Sequence, residues 1–362
     1  MPKVKLVNVT KRYGEIIALD DISVEIDDGE YVCVVGPSGC GKSTFLKVIA
    51  GIVKPEKGEI YIDDVLVNDL PVRERRIGFV MQDILLFPHM IVWENVIYGP
   101  LVQTASYAKA EKIGSSVVQE MALTLRKSAL PQELSRGVQQ KVAIARAVIS
   151  GANLLLLDEP LGSIDPRAAK MLRIELRNLV KDLKLTAIHV THNQEEAMSI
   201  ADKIVVMRRG RIEQYGTPGE LYYKPANPFV ARFIGGETNF LEGVVVSSGS
   251  LLEVDVEGLI FKLKNTGFRK GERVIVAIRP EHIKLSSTKT AGENVFSAKV
   301  KEVNFLGLTY RYLIEIDGLE FVVKQLRHAG VYKRNSEVYA VVRDAHIFKH
   351  PGLNIKEVIS YE

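Results

Sequence analysis

One stretch, Gly36-Pro-Ser-Gly-Cys-Gly-Lys-Ser-Thr44, constrains this chain more than any other. It stands between an apolar run, Val32 to Val35, and a helical pattern from Lys42 to Ala50 that stops at Gly51. Apolar residues without alternation suit a strand buried on both faces. A Gly-rich turn that leaves such a strand and opens a helix is a phosphate-binding loop. Backbone N–H groups of Ser38, Gly39, Cys40, Gly41 and Thr44 then form an anion cradle at the positive end of the helix. In such loops the lysine, here Lys42, reaches the outer phosphates of a nucleotide, and the following hydroxyl, here Ser43, ligates Mg²⁺.

A second run, Leu154 to Leu157, ends in Asp158-Glu159. A carboxylate at the end of a buried strand can hold Mg²⁺ beside the phosphates, which is the role of Asp158. Glu159 is placed to take a proton from an attacking water, as a general base. Further strands are expected at Lys5 to Val9, Ile22 to Ile26, Tyr31 to Val35, Ile60 to Ile62, Ile77 to Met81, Thr186 to Val190 and Lys203 to Met207. Residues from about 90 to 150 are helical in pattern, and Asp165-Pro166 opens a helix running to about Leu183. Buried strands alternating with helices indicate an α/β domain with a largely parallel sheet. These features leave GTPases, kinases, RecA-like motors and ABC ATPases open, although the chain has no Asn-Lys-x-Asp run of the GTPase type.

Between the two nucleotide motifs lies Leu134-Ser-Arg-Gly-Val-Gln-Gln140. It resembles the signature of ABC ATPases, commonly Leu-Ser-Gly-Gly-Gln, at that family's spacing before Asp158. Other elements of the family follow in order: Tyr13 where an aromatic ring stacks on adenine, Gln82 in the Q-loop, Ser163-Ile164-Asp165 in the D-loop, and His192 as the switch histidine. The resemblance implies a RecA-like core with antiparallel β and helical subdomains. It implies ATP and Mg²⁺ as cofactors, with Gln82 sensing Mg²⁺ and the attacking water and His192 stabilising the γ-phosphate. It also implies a head-to-tail homodimer, in which Ser135 and the N–H groups around Gly137 face the nucleotide of a second copy. Two residues depart from the signature: Arg136 and Val138. Lys141 stands where the family usually has Arg, keeping the charge without the planar fork.

The texture changes near residue 225, where Pro225, Pro228, Gly235 and Gly236 punctuate a linker. Beyond it, short β runs at even spacing suggest a small all-β barrel. Arg273 to Ile283 (RVIVAIRPEHI) aligns with Glu337 to Ile347 (EVYAVVRDAHI), a single repeated pair. Asn239-Phe-Leu-Glu-Gly243, Ala277 to His282 and Asn304-Phe-Leu-Gly-Leu308 resemble the OB-like TOBE domain of importer ATPases. The expected domains are therefore an ABC ATPase over 1–235, with its helical subdomain at about 88–150, and a TOBE domain over 236–362.

The resemblance is nearest in kind to the ATPase subunits of carbohydrate importers. Sulfate, molybdate, iron or polyamine importers share the plan, and a weakly hydrolysing regulatory module is a further alternative. The implied partners are two integral-membrane permease subunits and, indirectly, an extracytoplasmic solute-binding protein. Phe87, Met90, Val92, Trp93 and Ile97 either line a groove for the permease or fill the helical subdomain's own core.

Composition bounds the setting. The chain carries 48 basic and 44 acidic residues without a basic tail, so nucleic acid is not an expected partner. Apolar runs fall far short of the roughly 18 residues of a membrane span, and Met1-Pro2-Lys3 does not begin a signal peptide. Two cysteines, Cys33 and Cys40, offer no disulfide framework and suit a reducing compartment. The expected location is the cytoplasmic face of the membrane, held by protein contacts.

Overall fold

The structure, a computed structural model, describes residues 2–104 and 106–361. It divides into two compact units that part between Glu220 and Leu221.

The first unit holds two sheets. Strands β1 (Val4–Tyr13), β2 (Ile16–Ile26), β4 (Lys57–Ile62) and β5 (Val65–Leu66) form an antiparallel sheet in the order β2-β1-β4-β5. Strands β3 (Tyr31–Val35), β6 (Ile77–Val80), β7 (Leu154–Asp158), β8 (Thr186–Val190), β9 (Lys203–Arg208) and β10 (Arg211–Gly216) form the other, ordered β10-β9-β3-β8-β7-β6. All its pairings are parallel except β10 with β9. Strands β3, β7 and β8 are buried at every position, as their unalternating sequences require. Helix α1 (Lys42–Ala50) sends Phe45, Leu46 and Ile49 into one apolar core with Leu6, Ile22, Leu156 and Met207. Its C-terminal carbonyls would be orphaned in this core. Buried Arg75 serves them, donating from Nη1 to Val48 O at 3.1 Å and Ile49 O at 2.8 Å.

Helices α2 (Val92–Thr104), α3 (Tyr107–Glu120) and α4 (Arg136–Ile149) make up the expected helical segment. Helix α5 (Pro166–Asp182) starts at Asp165, whose carboxylate accepts from the N–H groups of Arg167 and Ala168. Helix α6 (Gln194–Ile200) follows β8. Among the described residues no helix is long and apolar enough to cross a membrane.

Helix α7 (Pro218–Tyr223) carries the division between the units, and α8 (Pro228–Gly235) lies wholly in the second. Residue 236, the expected boundary, follows α8. That helix packs Ala231 against Ile275, Ala277 and Phe348. Buried Arg279 spans its end: a Cβ on Gly235 would stand 1.3 Å from Arg279 Nη1, so a side chain there would displace the buried guanidinium.

The rest of the second unit is β, ending in the short helix α9 (Ile355–Val358). Its strands are β11 (Asn239–Ser248), β12 (Leu251–Val256), β13 (Leu259–Lys264), β14 (Arg273–Ile278), β15 (Ile283–Ser286), β16 (Val295–Phe305), β17 (Thr309–Ile316), β18 (Leu319–Leu326), β19 (Glu337–Val342) and β20 (His346–Lys349). They form two five-stranded antiparallel sheets, β13-β12-β11-β14-β20 and β15-β19-β16-β17-β18, around one core. The sequence repeat now has a structural meaning. In each copy the first strand stays in one sheet and the tail crosses to the other: β14 is followed by β15, which pairs with β19, and β19 by β20, which pairs with β14. The two copies exchange strands, so the expected OB-like barrel is built from two interlocked five-stranded sheets around one core.

Candidate functional site

The C-terminal ends of β3, β7 and β8 lie side by side, and the loops that leave them carry most of the predicted residues. The loop after β3 reaches α1 through Gly39 and Gly41, at φ 78° and 106°. Gly41 is fixed twice over: a side chain there would be strained, and its Cβ would stand 2.1 Å from Ala18 O. Lys42 is buried, its Nζ donating to Gly36 O and Pro37 O, each at 2.8 Å. The ammonium thus folds back along the loop and braces it. Cys40 is buried beside it, and burial pushes its thiol above the ordinary range.

Ser43 and Asp158, far apart in sequence, meet here. The Ser43 hydroxyl donates to Asp158 Oδ1 at 3.1 Å. Burial raises the carboxyl's pKa; the Ser43 bond works against this, the neighbouring Glu159 charge with it, and Lys47 and Lys42 against it. Glu159 leaves the strand in the left-handed region, at φ 48°, with its N–H bonded to Val190 O at 2.9 Å. Such a φ costs a non-glycine residue of order 1 kcal/mol or more. It brings Glu159 Oε2 to 3.2 Å from Nδ1 of exposed His192.

A cavity of ≈ 280 Å³ is lined by Tyr13, Ile16, Ala18, Ser38, Gly39, Gly41, Lys42, Ser43, Thr44 and Glu159. Tyr13 presents a half-exposed ring at its rim. Ile16 and Ala18 belong to the site although no motif marked them; they lie on β2, where only chain pairing could reveal them. Gln82 is exposed in the loop just beyond β6, the strand that pairs with β7. It does not line this cavity.

Ser135, Gly137 and Asp165 gather elsewhere. Ser135 is exposed immediately before α4, and a Cβ on Gly137 would lie 3.5 Å from Ile164. Lys141 Nζ pairs with Glu175 Oε2 at 2.6 Å across α4 and α5. None of these residues lines the phosphate-loop cavity. The apolar segment after Gln82 divides: Val92 and Ile97 are core residues, while Phe87, Met90 and Trp93 are half-buried. The groove reading is therefore corrected for Val92 and Ile97, whose side chains close the helical subdomain. Leu85, Tyr98 and Val102 carry the exposed apolar surface nearby.

Sequence comparison adds family. The ABC transporter family matches residues 19–162 and the TOBE domain family matches residues 276–348. The chain is 40% identical over 354 residues to the spermidine/putrescine import ATP-binding protein PotA of Rubrobacter xylanophilus, covering 94% of this chain and 92% of that protein. This chain belongs to the ABC importer ATPases. Another ABC importer ATPase, the trehalose/maltose import protein MalK of Thermococcus litoralis, is 37% identical over 367 residues, covering 96% and 98% of the two chains. A solved ATP-binding cassette, dimeric in a post-hydrolysis state with ADP and Pi, matches at TM-score 0.53 and 34% identity, covering 59% of this chain and 98% of that one. As an ABC importer ATPase the protein couples a RecA-like P-loop ATPase domain, which uses ATP, to an OB-like TOBE domain.

Proposed function

We propose that this ATPase powers import of a polyamine. Relatives from Rubrobacter xylanophilus, Acetivibrio thermocellus and Clostridioides difficile are named for spermidine/putrescine import, beside one named for trehalose/maltose import. The carbohydrate expectation thus gives way to one of its alternatives.

The observation that carries the catalytic reading is the pair of contacts flanking one cavity, Ser43 to Asp158 and Glu159 to His192. Lys42 neutralises the outer phosphates after leaving its two carbonyls, while the loop N–H groups hold the rest. Ser43 and Asp158 fit Mg²⁺: both offer hard oxygen, and a buried carboxylate whose charged form is disfavoured gains from a cation. Held by Ser43 and Asp158, Mg²⁺ would supply positive charge against the negative charge of the phosphates. Glu159 accepts the proton of the attacking water, His192 orients that water against Glu159, and Gln82 reports nucleotide state to the helical segment. Tyr13 stacks on adenine.

Ser135, Gly137 and Asp165 act on a second copy's nucleotide, which accounts for their absence from the cavity of their own chain. The homodimer sits at the cytoplasmic face of the membrane on two permease subunits, served by an extracytoplasmic binding protein. Proteoliposomes containing the subunit, its permease pair and its binding protein provide the test. Spermidine or putrescine should stimulate ATP hydrolysis severalfold; stimulation by maltose and not by polyamines overturns the solute assignment.

A further inference from the structure

Behind the turn that carries His192 lies a buried polar chain that none of these roles uses. Tyr31 and His189 are fully buried, and Glu196 is 4% exposed. Register puts Cys33 of β3 opposite His189 of β8, so Tyr31, two residues earlier, shares their face. The Tyr31 hydroxyl lies 2.9 Å from His189 Nδ1, and His189 Nε2 lies 2.9 Å from Glu196 Oε1. The Thr191 hydroxyl stands near the same carboxylate and favours its charged form. Thr191 Oγ1 also accepts from Asn193 N–H at 3.0 Å, and Asn193 Oδ1 from Glu196 N–H at 3.1 Å. These two bonds and the His189–Glu196 approach brace the turn, which carries His192 between Thr191 and Asn193.

Chemistry fixes the direction of the chain. Burial pushes the Tyr31 phenol well up, so it stays protonated and donates to Nδ1. The ring proton then sits on Nε2, facing Glu196. Burial would raise the Glu196 carboxyl, but the facing His189 N–H, the positive charge of Arg173 and the nearby Thr191 hydroxyl outweigh it and hold it below its ordinary range. The Nε2 to Oε1 approach is close but poorly aligned as a hydrogen bond, and both atoms are buried. Buried pairs of this kind add little stability over apolar packing, so stability alone gives weak reason for one under a parallel sheet.

We propose that His189 and Glu196 are positioning residues for His192, holding the turn over residues 191–193 so that its imidazole stays against Glu159. The inference rests on the catalytic reading of His192 and Glu159 above. The test is steady-state ATPase kinetics of the whole chain. His189→Leu should lower kcat about tenfold while KM for ATP moves less than about twofold. His189→Gln, which restores a donor toward Glu196, should recover at least about half of the rate. In a His192→Ala background His189→Leu should cost nothing further, because the two act as one unit. An unchanged kcat, an equal loss with Gln, or an additive loss in that background overturns the proposal. If His192→Ala itself leaves kcat unchanged, the catalytic reading fails instead. Should the Leu variant not fold, Tyr31→Phe removes only the hydroxyl. It should lower kcat about threefold with intact His192 and not at all with His192→Ala; full activity with His192 present overturns the proposal.

Discussion

Glu159 carries the heaviest chemical assignment, and its backbone shows the cost. A carboxylate at φ 48° is held there by the Val190 carbonyl and placed against His192. Glu159→Gln keeps that shape and removes the base. ATP hydrolysis should fall by about 10²–10³-fold, with nucleotide still bound and an ATP-held dimer visible by gel filtration. Wild-type turnover no faster than that of the variant would favour the regulatory-module alternative. Asp158 gives a second residue-scale expectation. Burial raises its folded pKa, so the stability it contributes is present below the unfolded carboxyl pKa and lost as pH rises through the folded value. At neutral pH without nucleotide it therefore opposes folding. Asp158→Asn should raise the melting temperature there by ~2 °C, the gain shrinking in acid, while activity is lost. A lower melting temperature at neutral pH would show that the Ser43 bond outweighs burial. Much of this site is legible in sequence because the phosphate loop and the strand-end carboxylates have fixed spacing. His189 is not, because a histidine inside Thr186 to Val190 looks like one more strand residue until β3 is laid beside it.

Elements were less readable at their ends than at their centres. The helix from Lys42 to Ala50 matches its predicted span because Gly41 and Gly51 both adopt left-handed φ and punctuate it. Strands β1 and β2 run well beyond their expected five residues, since Lys11, Tyr13 and Asp20 lie in paired strands whose partners sequence alone does not show. The same missing partners hid β5, β10, β15 and β20. Helix α4 poses an element-scale question of its own. Exposed Arg136 is its first residue, at the end where the helix dipole already favours negative charge. A cation there is unfavourable alone and becomes favourable when an anion arrives. If that anion is the nucleotide of a second copy, Arg136→Gly should weaken ATP-driven dimerisation severalfold, measured by sedimentation at graded ATP. ATP affinity of the single subunit should not move. Equal dimerisation by both proteins would leave Arg136 a solvated substitution without a role.

At the scale of the whole molecule, the decisive fact is that the predicted residues fall into two groups. Lys42, Ser43 and Glu159 line one cavity, while Ser135, Gly137 and Asp165 gather where α4 meets α5 and do not line it. On the dimeric reading proposed above, a single chain offers the two complementary halves of one kind of site, and a symmetric pair completes two copies of it. This predicts complementation between two inactive proteins. Lys42→Ala destroys the cradle and leaves the signature intact; Ser135→Arg blocks the signature and leaves the cradle intact. In a mixed dimer, one of the two composite sites joins both damaged halves and the other joins both sound ones. Random exchange makes half the dimers mixed, each with one working site, so mixing equal amounts should restore about a quarter of wild-type ATPase if sites fire independently. Titrating one variant into the other should give a maximum near equal proportions. A flat, inactive profile under conditions where the subunits demonstrably exchange would mean that the signature serves its own chain, or that one site cannot turn over without the other. Repeating the titration with a partner whose second site is slowed rather than blocked separates those two outcomes, because only the cooperative case then recovers activity.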